Sequence, residues 1–366
     1  MQQIEVELDI AILKELWDSR DGYPTRNFIN YLELLYMKTE KLGARAKHLD
    51  EPYLPLLQEI DFTPVFIIGD RRSGTTLLYQ LLAASECFNF VSAYHIIKYE
   101  ELIFNFVSKN ESHVKIELDR LFEKLNLIDR KIDEVKISPD LPEEYGFILD
   151  RTKDREPKIT ENNFSLFLEI CQKIQFISDR DKLLLLKNPW DFSNFIFIKQ
   201  MLPKAKFIFI HRHPVYVINS QLKMARSLLK QQNIYAAMLC EPYRHLFEKP
   251  LQLYVCRFLF STLFGMGLRN ITKAAIVTRS YFLRNIDLLP KTDYISIRYE
   301  DLCEHPDSNV MKILSFFGLE QKSTLTARTL LAPRPLNLLP EVAKNSDRIC
   351  DQLQSYLSYL DYSLSL

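Results

Sequence analysis

Residues 65 to 82 read VFIIGDRRSGTTLLYQLL, in which two apolar runs flank a glycine-bearing polar loop. The first run lies between Pro64 and Gly69, which is typical of a strand buried on both faces of a sheet. The second run begins at Leu77 and has the composition of a helix that starts at the end of the loop. This order predicts an anion cradle, because the free N–H groups of the first helical turn converge on one point and the helix dipole favours negative charge there.

The loop between these runs differs in one position from the loop of ATP-hydrolysing enzymes. Their pattern, G-x-x-x-x-G-K-[ST], uses the lysine to reach the β and γ phosphates, whereas Gly69 and Gly74 are here followed by Thr75. Without that lysine the loop is poorly equipped to transfer a phosphoryl group, but Arg72 and the backbone amides can still hold an anion. The alternative is a capped strand-to-helix turn with Arg71 and Arg72 in solvent, since Ser and Thr beside a glycine also suit helix capping.

Four more apolar runs have the same character and predict further strands. They are Phe88 to Val91, Leu183 to Leu186, Phe207 to Ile210 and Tyr294 to Ile297. Helical patterns separate the runs, and because parallel neighbours require such crossovers, the chain is expected to form a parallel sheet. The predicted fold class is α/β, a P-loop-like three-layer fold in which helices flank a central parallel sheet of about five strands. Functional groups should then collect at the carboxyl ends of the strands.

The rest of the chain is interpreted as part of one domain, residues 1–366, because no Gly/Ser-rich or Pro-rich linker divides it. Residues 1–60 read as an N-terminal helical layer, and residues 64–320 as the α/β core. Within the core, residues 109–160 are mixed, charged and interrupted by prolines, which is typical of an excursion that covers a pocket. Residues 321–366 are interpreted as a C-terminal extension.

Composition argues against several classes of function. Lys plus Arg and Asp plus Glu both total 47, so the formal charge is zero and no global basic field attracts nucleic acid or anionic membrane. The first residues lack the basic region, apolar run and cleavage site of a signal peptide, which predicts a cytoplasmic protein. Six cysteines without a C-x-x-C pair indicate neither a zinc site nor a disulfide framework. The oligomeric state stays open, with a homo-oligomer as one candidate.

The most apolar stretch runs from Leu251 to Leu268 and carries Arg257 near its middle. A membrane span would place this guanidinium in hydrocarbon at a cost of about 2.5 kcal/mol or more. A buried helix is therefore the preferred interpretation, and no stable membrane insertion is expected.

A second anion site is predicted after the fourth apolar run, where the chain reads HRHPVYVINS from His211 to Ser220. Pro214 suits the first turn of a helix, which places Arg212 at the strand exit and Ser220 about two turns further on. An arginine fork and a hydroxyl can together hold a phosphate. A surface ion pair and a solvated serine are the alternative, but two anion sites on one sheet edge indicate a ligand with phosphates at both ends.

With these motifs the chain resembles the PAPS-dependent sulfotransferase superfamily, in particular its bacterial and tyrosylprotein-type branch, whose first motif reads P-R-S-G-T-T. Residues 72–76, RSGTT, match that motif, and Arg71 stands where the branch has proline. The resemblance runs from about residue 64 to about residue 320. It implies PAPS as the sulfuryl donor, PAP as the product, a small-molecule acceptor and no metal.

In this family the first loop binds the 5′ phosphosulfate of PAPS, and an Arg and a Ser eight residues apart bind the 3′ phosphate. Arg212 and Ser220 have the same spacing, and Tyr299, in the tyrosine-acidic pair after the last strand, is implied to border the nucleotide. Arg334 is a weak substitute for the Arg-Lys-Gly stretch of cytosolic members. The donor-binding residues implied by the resemblance are Arg71, Arg72, Ser73, Gly74, Thr75, Thr76, Arg212, Ser220, Tyr299 and Arg334.

Sulfuryl transfer requires a base for the acceptor's proton, cations on the sulfonate oxygens and support for the leaving phosphate oxygen. The tyrosylprotein-type branch has a Glu shortly after the second strand, but the corresponding position holds Ala93. His95 is the preferred base, because an imidazole accepts a proton near neutral pH and other branches use histidine. Its alternative role is to cap the helix that begins there. Glu144 is a second candidate base or orients the acceptor, and a solvated acidic turn is its alternative.

Lys187 follows the third strand in the sequence LKNPW and resembles the lysine that this branch places at the transferring sulfonate. A structural salt bridge is its alternative role. Phe147 and Trp190 are candidates for an apolar acceptor pocket. The predicted function is sulfuryl transfer from PAPS to a hydroxyl of a small-molecule, lipid or phenolic acceptor. The alternatives are a small-molecule kinase of the same P-loop architecture and a non-catalytic nucleotide-binding descendant.

Overall fold

The computed structural model describes residues 49–130, 135–152, 154–231, 233–262, 265–320 and 337–363. The predicted N-terminal helical layer lies outside the described residues as far as residue 48. The strands of the described part are β1 (Pro64–Ile68), β2 (Phe88–Phe90), β3 (Leu183–Lys187), β4 (Lys206–His211) and β5 (Tyr294–Arg298). They form one parallel sheet in the order β2-β3-β1-β4-β5. The predicted strands are confirmed to within about one residue at each end.

Helices connect and cover these strands. In chain order they are α1 (Thr75–Ala84), α2 (Ala93–Ile97), α3 (Leu102–Val107), α4 (Glu111–Lys124), α5 (Gly146–Leu149), α6 (Phe164–Ile177), α7 (Phe195–Met201), α8 (Pro214–Gln231), α9 (Ile234–Leu239), α10 (Glu241–Phe247), α11 (Pro250–Leu259), α12 (Met266–Asn285), α13 (Tyr299–Glu304), α14 (Pro306–Phe316), α15 (Pro340–Lys344), α16 (Ser346–Gln352) and α17 (Gln354–Tyr359). Short 3₁₀ helices span Glu51–Glu59, Tyr99–Glu101, Pro189–Ser193 and Ile286–Leu288.

Alternate residues of β1 pack into two cores on opposite faces of the sheet. Phe66 and Ile68 belong to the larger core, where the ring of Phe66 stacks on Phe207 at a centroid distance of 5.7 Å. Val65 and Ile67 belong to the second core, together with apolar residues of α1 and α14. Because both faces are covered, the strand is apolar throughout and the fold is a three-layer α/β structure, as the sequence predicts.

The register of the sheet brings the ends of its central strands to one level. Ile67 of β1 pairs with Lys187, the last residue of β3, and on its other side with Ile208 of β4. The loops that follow β1, β3 and β4 therefore begin close together. This carboxyl edge is where the predicted functional groups converge.

Residues 109–160, predicted to leave the sheet, fold back along the larger core. Leu118 of α4 and Tyr145 both lie in that core. An isolated antiparallel bridge joins Ser92, just beyond β2, to Pro142 of the insertion. The insertion is thereby held against the carboxyl edge of the sheet.

The described part of the C-terminal extension, residues 337–363, packs against α8 and the exit of β4. Leu357 shares an apolar cluster with Val215 of α8. The Oη atom of Tyr356 lies 2.8 Å from Nδ1 of His211, the last residue of β4. The extension thus supports the helix and the strand between which the second predicted anion site lies.

The prediction of one buried helix from residue 251 to residue 268 is wrong. Gly265, with a φ of 60°, precedes α12, so the stretch contains nearly all of α11 and only the start of α12. The side chain of Leu251 is 83% exposed whereas Leu253 is buried, because α11 rests on the domain with one face only. Arg257 donates a hydrogen bond from Nε to a backbone carbonyl of α8 at 2.9 Å. Among the helices of the described residues, none has the length and hydropathy needed to cross a membrane.

Candidate active site

The loop after β1 turns into α1 at Gly74, where both conformation and space require glycine. Its φ is 101°, and a Cβ atom at this position would lie 2.2 Å from Cδ2 of Tyr299. The ring of Tyr299 is in turn stacked beneath the guanidinium of Arg212, whose Cζ lies 4.3 Å from the ring centroid. Tyr299 therefore connects the two predicted anion sites.

The first turn of α1 has the geometry of the anion cradle that the sequence predicts. The first hydrogen bond of the helix runs from the backbone N–H of Leu78 to the carbonyl of Gly74, at 3.0 Å. The preceding N–H groups, of residues 75–77, have no acceptor within the helix and point toward the loop. Ser73 is buried and donates from Oγ to the carbonyl of Asp70 at 2.7 Å, which closes the turn.

Residues of the two predicted anion sites contact one another directly. Arg72 donates from Nε to Oγ of Ser220 at 3.1 Å. Arg212 donates from Nη1 to the carbonyl of Arg72, also at 3.1 Å. Ser220 projects from α8, which begins at Pro214 as predicted. Arg72 itself has a φ of 69°, a left-handed conformation that is uncommon for a residue with a side chain.

Sequence reasoning missed the residues that hold the loop from behind. Arg279 of α12, only 1% exposed, donates from Nη1 to Oδ2 of Asp70 at 2.7 Å. Gln221 donates from Nε2 to Oδ1 of Asp70 at 3.0 Å and to the carbonyl of Arg71 at 2.8 Å. The sequence did contain one signal, Asp70. Its two neighbouring arginines are predicted to serve the bound anion, so its carboxylate requires a cation from elsewhere in the chain.

Lys187 and Glu144 meet at the same edge of the sheet. The Nζ atom of Lys187 lies 2.7 Å from Oε1 of Glu144 and donates to Oγ1 of Thr76 at 3.0 Å. The lysine side chain is 1% exposed and the glutamate side chain 14% exposed. Because Thr76 is in the first turn of α1, this ion pair lies directly beside the predicted anion cradle.

The preceding residue, Glu143, is a buried carboxylate. Arg130 donates to Oε1 of Glu143 at 2.9 Å, and Oη of Tyr235 donates to the same oxygen at 2.9 Å. Burial raises the pKa of Glu143, while the guanidinium of Arg130 and the ammonium of Lys187 oppose that rise. Of the two adjacent glutamates, one is thus held in the interior and the other turned toward Lys187.

His95 occupies a helix-capping position. The backbone N–H of Ser92 donates to Nδ1 of His95 at 3.1 Å, and the backbone N–H of His95 donates to Oγ of Ser92 at 3.4 Å. The imidazole is buried, and burial together with the nearby Lys115 ammonium lowers its pKa to about 3. These contacts fit the alternative role stated for His95, the capping of α2.

Arg71 points toward a pair of aromatic side chains. Its guanidinium carbon lies 4.3 Å from the ring centroid of Trp190. Trp190 meets Phe147 edge to face at a centroid distance of 5.7 Å, and both rings are half-buried. Phe147 follows Glu144 by three residues and Trp190 follows Lys187 by three. The aromatic pair and the ion pair are therefore carried by the same two chain segments.

Most of the predicted donor-binding residues gather around the start of α1, whereas Arg334 lies outside the described residues. Within the described ranges there is no group of three or more His, Cys, Asp or Glu side chains that could hold a metal ion.

Comparisons with known proteins gave a family match, two curated relatives and similar solved structures. A family model described as "Sulfotransferase family" matches residues 64–323. The chain is 22% identical over 273 residues to the omega-hydroxy-beta-dihydromenaquinone-9 sulfotransferase Stf3 of Mycobacterium bovis and of Mycobacterium tuberculosis. That match covers 70% of this chain and 63% of the relatives' length. Among solved structures, sulfotransferase STF9 from Mycobacterium avium superposes with a TM-score of 0.59 at 13% identity, over 87% of this chain and 82% of that one.

Proposed function

The chain belongs to the sulfotransferase family, and on that premise we propose that it transfers a sulfuryl group from PAPS to a hydroxyl at the end of an apolar small molecule or lipid. A cytoplasmic location, a single domain over the whole chain and the lack of a nucleic-acid partner stay predictions from the sequence. So does a homo-oligomer.

PAPS is proposed as the donor because the two predicted anion sites contact each other. Arg72 bonds Ser220, and Arg212 bonds the carbonyl of Arg72, so the cationic and hydroxyl groups of both predicted sites lie side by side, as a ligand with two anionic groups requires. PAPS has a phosphosulfate at the 5′ position and a phosphate at the 3′ position. In this proposal the loop and the N–H groups at the start of α1 hold the former, Arg212 and Ser220 hold the latter, and Tyr299 borders the nucleotide.

The donor supplies an activated sulfuryl group, and the chain's residues control charge and protons around it. Lys187 is suited to hold a sulfonate oxygen, because its ammonium has three N–H donors and reaches the first turn of α1 through Thr76. Its charge would stabilise the negative charge that develops on the leaving phosphate oxygen. The loop amides would share this role.

Glu144 is the better candidate for the general base. It lies next to Lys187 at the anion cradle and is partly exposed, so an acceptor hydroxyl can approach it, and a carboxylate can then take the hydroxyl proton. His95, by contrast, uses Nδ1 for the cap of α2, and its low pKa makes it a weak base. His95 therefore has a structural role in this proposal.

The apolar nature of the acceptor is inferred from the aromatic pair of Phe147 and Trp190 beside the ion pair. An apolar surface next to a base selects molecules that present a hydroxyl at one end of a hydrophobic body. The Mycobacterium relatives are named for a hydroxylated menaquinone, which is an acceptor of this kind.

Binding and turnover together test the proposal. Isothermal titration calorimetry should give tighter binding of PAP than of ATP with magnesium. Arg212→Ala should weaken PAP binding, whereas Arg269→Ala, which removes an exposed arginine of α12, should leave it unchanged. Transfer from ³⁵S-labelled PAPS is then measured to geranylgeraniol and to 2-naphthol as acceptor probes. Tighter magnesium-dependent ATP binding would indicate a kinase, and PAP binding without any labelled product would indicate a non-catalytic descendant.

A further inference from the structure

A fully buried carboxylate lies close behind the ion pair of Lys187 and Glu144. Asp191 is 0% exposed and belongs to the 3₁₀ helix Pro189–Ser193, which begins two residues after Lys187. Within the part of the chain that the structure describes, each of its two carboxylate oxygens accepts two hydrogen bonds. A buried carboxylate that accepts this many bonds fixes the groups that donate them, because each lost bond would leave a polar group unsatisfied in the interior.

The two donors to Oδ2 are the chain neighbours of the proposed catalytic pair. Tyr145, which follows Glu144, donates from Oη at 2.6 Å. Asn188, which follows Lys187, donates from Nδ2 at 2.7 Å. One oxygen atom therefore joins the segment that carries the proposed base to the segment that carries the lysine.

Oδ1 of Asp191 and the side chains of Asn188 and Asn194 make further bonds between the insertion and the residues after β3; this set of bonds is called the junction below. Oδ1 of Asp191 accepts from the backbone N–H of Ile159 at 3.0 Å and from Nδ2 of Asn194 at 2.7 Å. Asn194 also donates to the carbonyl of Ile159 at 2.8 Å, and Asn188 to the carbonyl of Pro157 at 2.8 Å. The insertion is thus tied to the exit of β3 at Tyr145 and again near its end, at Pro157 and Ile159.

Packing leaves little freedom around this junction. The ring of Tyr145 meets Phe66 and Phe167 edge to face, at centroid distances of 6.3 and 5.2 Å. A Cβ atom at Gly146 would lie 2.6 Å from Oδ1 of Asn188. Glu144 itself lies in no helix or strand, so its position relative to Lys187 depends on its two anchored neighbours, Glu143 before it and Tyr145 after it.

We propose that Asp191 is a positioning residue for sulfuryl transfer, which holds Glu144 against Lys187 through Tyr145 and Asn188. The inference rests on the proposed function. A displacement of the base by about 1 Å can lower a rate by about 100-fold. The donor site at Arg72 and Arg212 shares none of these hydrogen bonds, so the effect should fall on the transfer step and spare the binding of PAP.

The test uses Asp191→Asn, which keeps the shape of the side chain but replaces one accepting oxygen with an amide nitrogen that cannot accept. We expect kcat for transfer from PAPS to geranylgeraniol, or to 2-naphthol if that is the better acceptor, to fall roughly 10- to 100-fold. The Kd for PAP should stay within about twofold of the wild-type value. Tyr145→Phe, which removes a single bond, should have a smaller effect in the same direction and serves if the first variant does not fold.

Gln175→Leu is the matched control for loss of buried hydrogen bonds. Gln175 is also buried and donates to the carbonyls of Arg180 and Lys182, at the opposite end of β3. The Gln175→Leu variant should have a lower melting temperature than the wild type but the same kcat. If it lowers kcat as much as Asp191→Asn does, the loss reflects general loosening of β3 and the proposal is overturned.

A double-mutant cycle separates positioning from a merely structural role. If Asp191 acts through Glu144, Asp191→Asn should lower kcat in the wild-type protein but add little in the Glu144→Gln background. Equal losses in both backgrounds, or unchanged kcat in a folded Asp191→Asn protein, would overturn the inference. Turnover by the wild type is measured first, so a chain that forms no sulfated product refutes the proposed function, and the melting temperatures identify variants that fail to fold.

Discussion

Replacing Gly74 with alanine is expected to weaken PAP binding by roughly 5- to 150-fold. Two effects contribute. The φ of 101° at Gly74 lies in the left-handed region, which costs a residue with a side chain about 1–2 kcal/mol. In addition, the new Cβ would lie 2.2 Å from Cδ2 of Tyr299. Non-bonded carbon atoms rest about 3.5–4.0 Å apart, so the Tyr299 ring has to move by more than about 1 Å.

Movement of the Tyr299 ring would displace Arg212, which belongs to the proposed donor site. The guanidinium of Arg212 lies 4.3 Å from the ring centroid, and such stacking contributes about 0.5–2 kcal/mol. Arg212 also bonds the carbonyl of Arg72, so its displacement loosens the loop. If about 1–3 kcal/mol of the combined effect falls on the binding of PAP, the expected fold-change follows, because 1.4 kcal/mol corresponds to a factor of ten.

Calorimetric titration with PAP measures the effect, and Gly318→Ala provides the control. Gly318 also has a positive φ, of 68°, but a Cβ there meets no described atom within 4 Å. Gly318→Ala should therefore lower the melting temperature while leaving the Kd for PAP unchanged. The reasoning is refuted if Gly74→Ala folds and binds PAP with the wild-type Kd.

Three further predictions concern single side chains. Lys187→Met should lower kcat by about 100-fold or more with the Kd for PAP retained, and steady-state turnover above half the wild-type rate would contradict it. His95→Gln should retain transfer. The buried imidazole of His95 has a pKa of about 3, against 6.5 when unfolded, so its stabilising contribution is full above pH 6.5 and is lost as the pH falls toward 3. Urea unfolding measures the free energy of unfolding at each pH. Between pH 7 and pH 5, His95→Gln should lose about 2 kcal/mol less of it than the wild type. Identical losses would disprove this account. Arg279→Met should destabilise the fold by about 3 kcal/mol by leaving Asp70 without its cation, and Asp70→Asn added to it should restore part of the melting temperature. Restoration of none would show that the ion pair is not the cause.

The sheet, and the meeting of the predicted site residues at its carboxyl edge, were predictable because both depend on local signals. A strand covered on both faces is apolar along most of its length, so each of the five runs could be identified on its own despite Asn89 in β2 and Ser296 in β5. The turn at Gly74 was predictable for a similar reason, since a glycine between a strand and a helix indicates close approach of the backbone. Pro214 likewise marked the start of α8, which fixed the direction in which Ser220 lies.

The pairing of side chains across the site was beyond such signals. Lys187 and Glu144 are joined only because the insertion folds back along the sheet, and the bridge from Ser92 to Pro142 that guides it has no sequence signature. For His95 the sequence left base and helix cap as alternatives, because residue type indicates chemistry but not which ring nitrogen is already bonded. The stretch from residue 251 to residue 268 was mistaken for one buried helix because an apolar composition does not reveal which face of a helix meets the domain.

The left-handed conformation of Arg72 explains how one short loop reaches both halves of the proposed transfer site. With its φ of 69°, successive side chains separate: Arg71 lies over Trp190 on the side of the proposed acceptor, while Arg72 bonds Ser220 on the side of the donor. A residue with a side chain adopts this conformation at a cost of about 1–3 kcal/mol. That cost is offset by the bond from Arg212 to the carbonyl of Arg72, which the same conformation permits. Arginine in place of proline at position 71 thus adds a cation to the proposed acceptor site, and the proposed donor site keeps its own cation, Arg72.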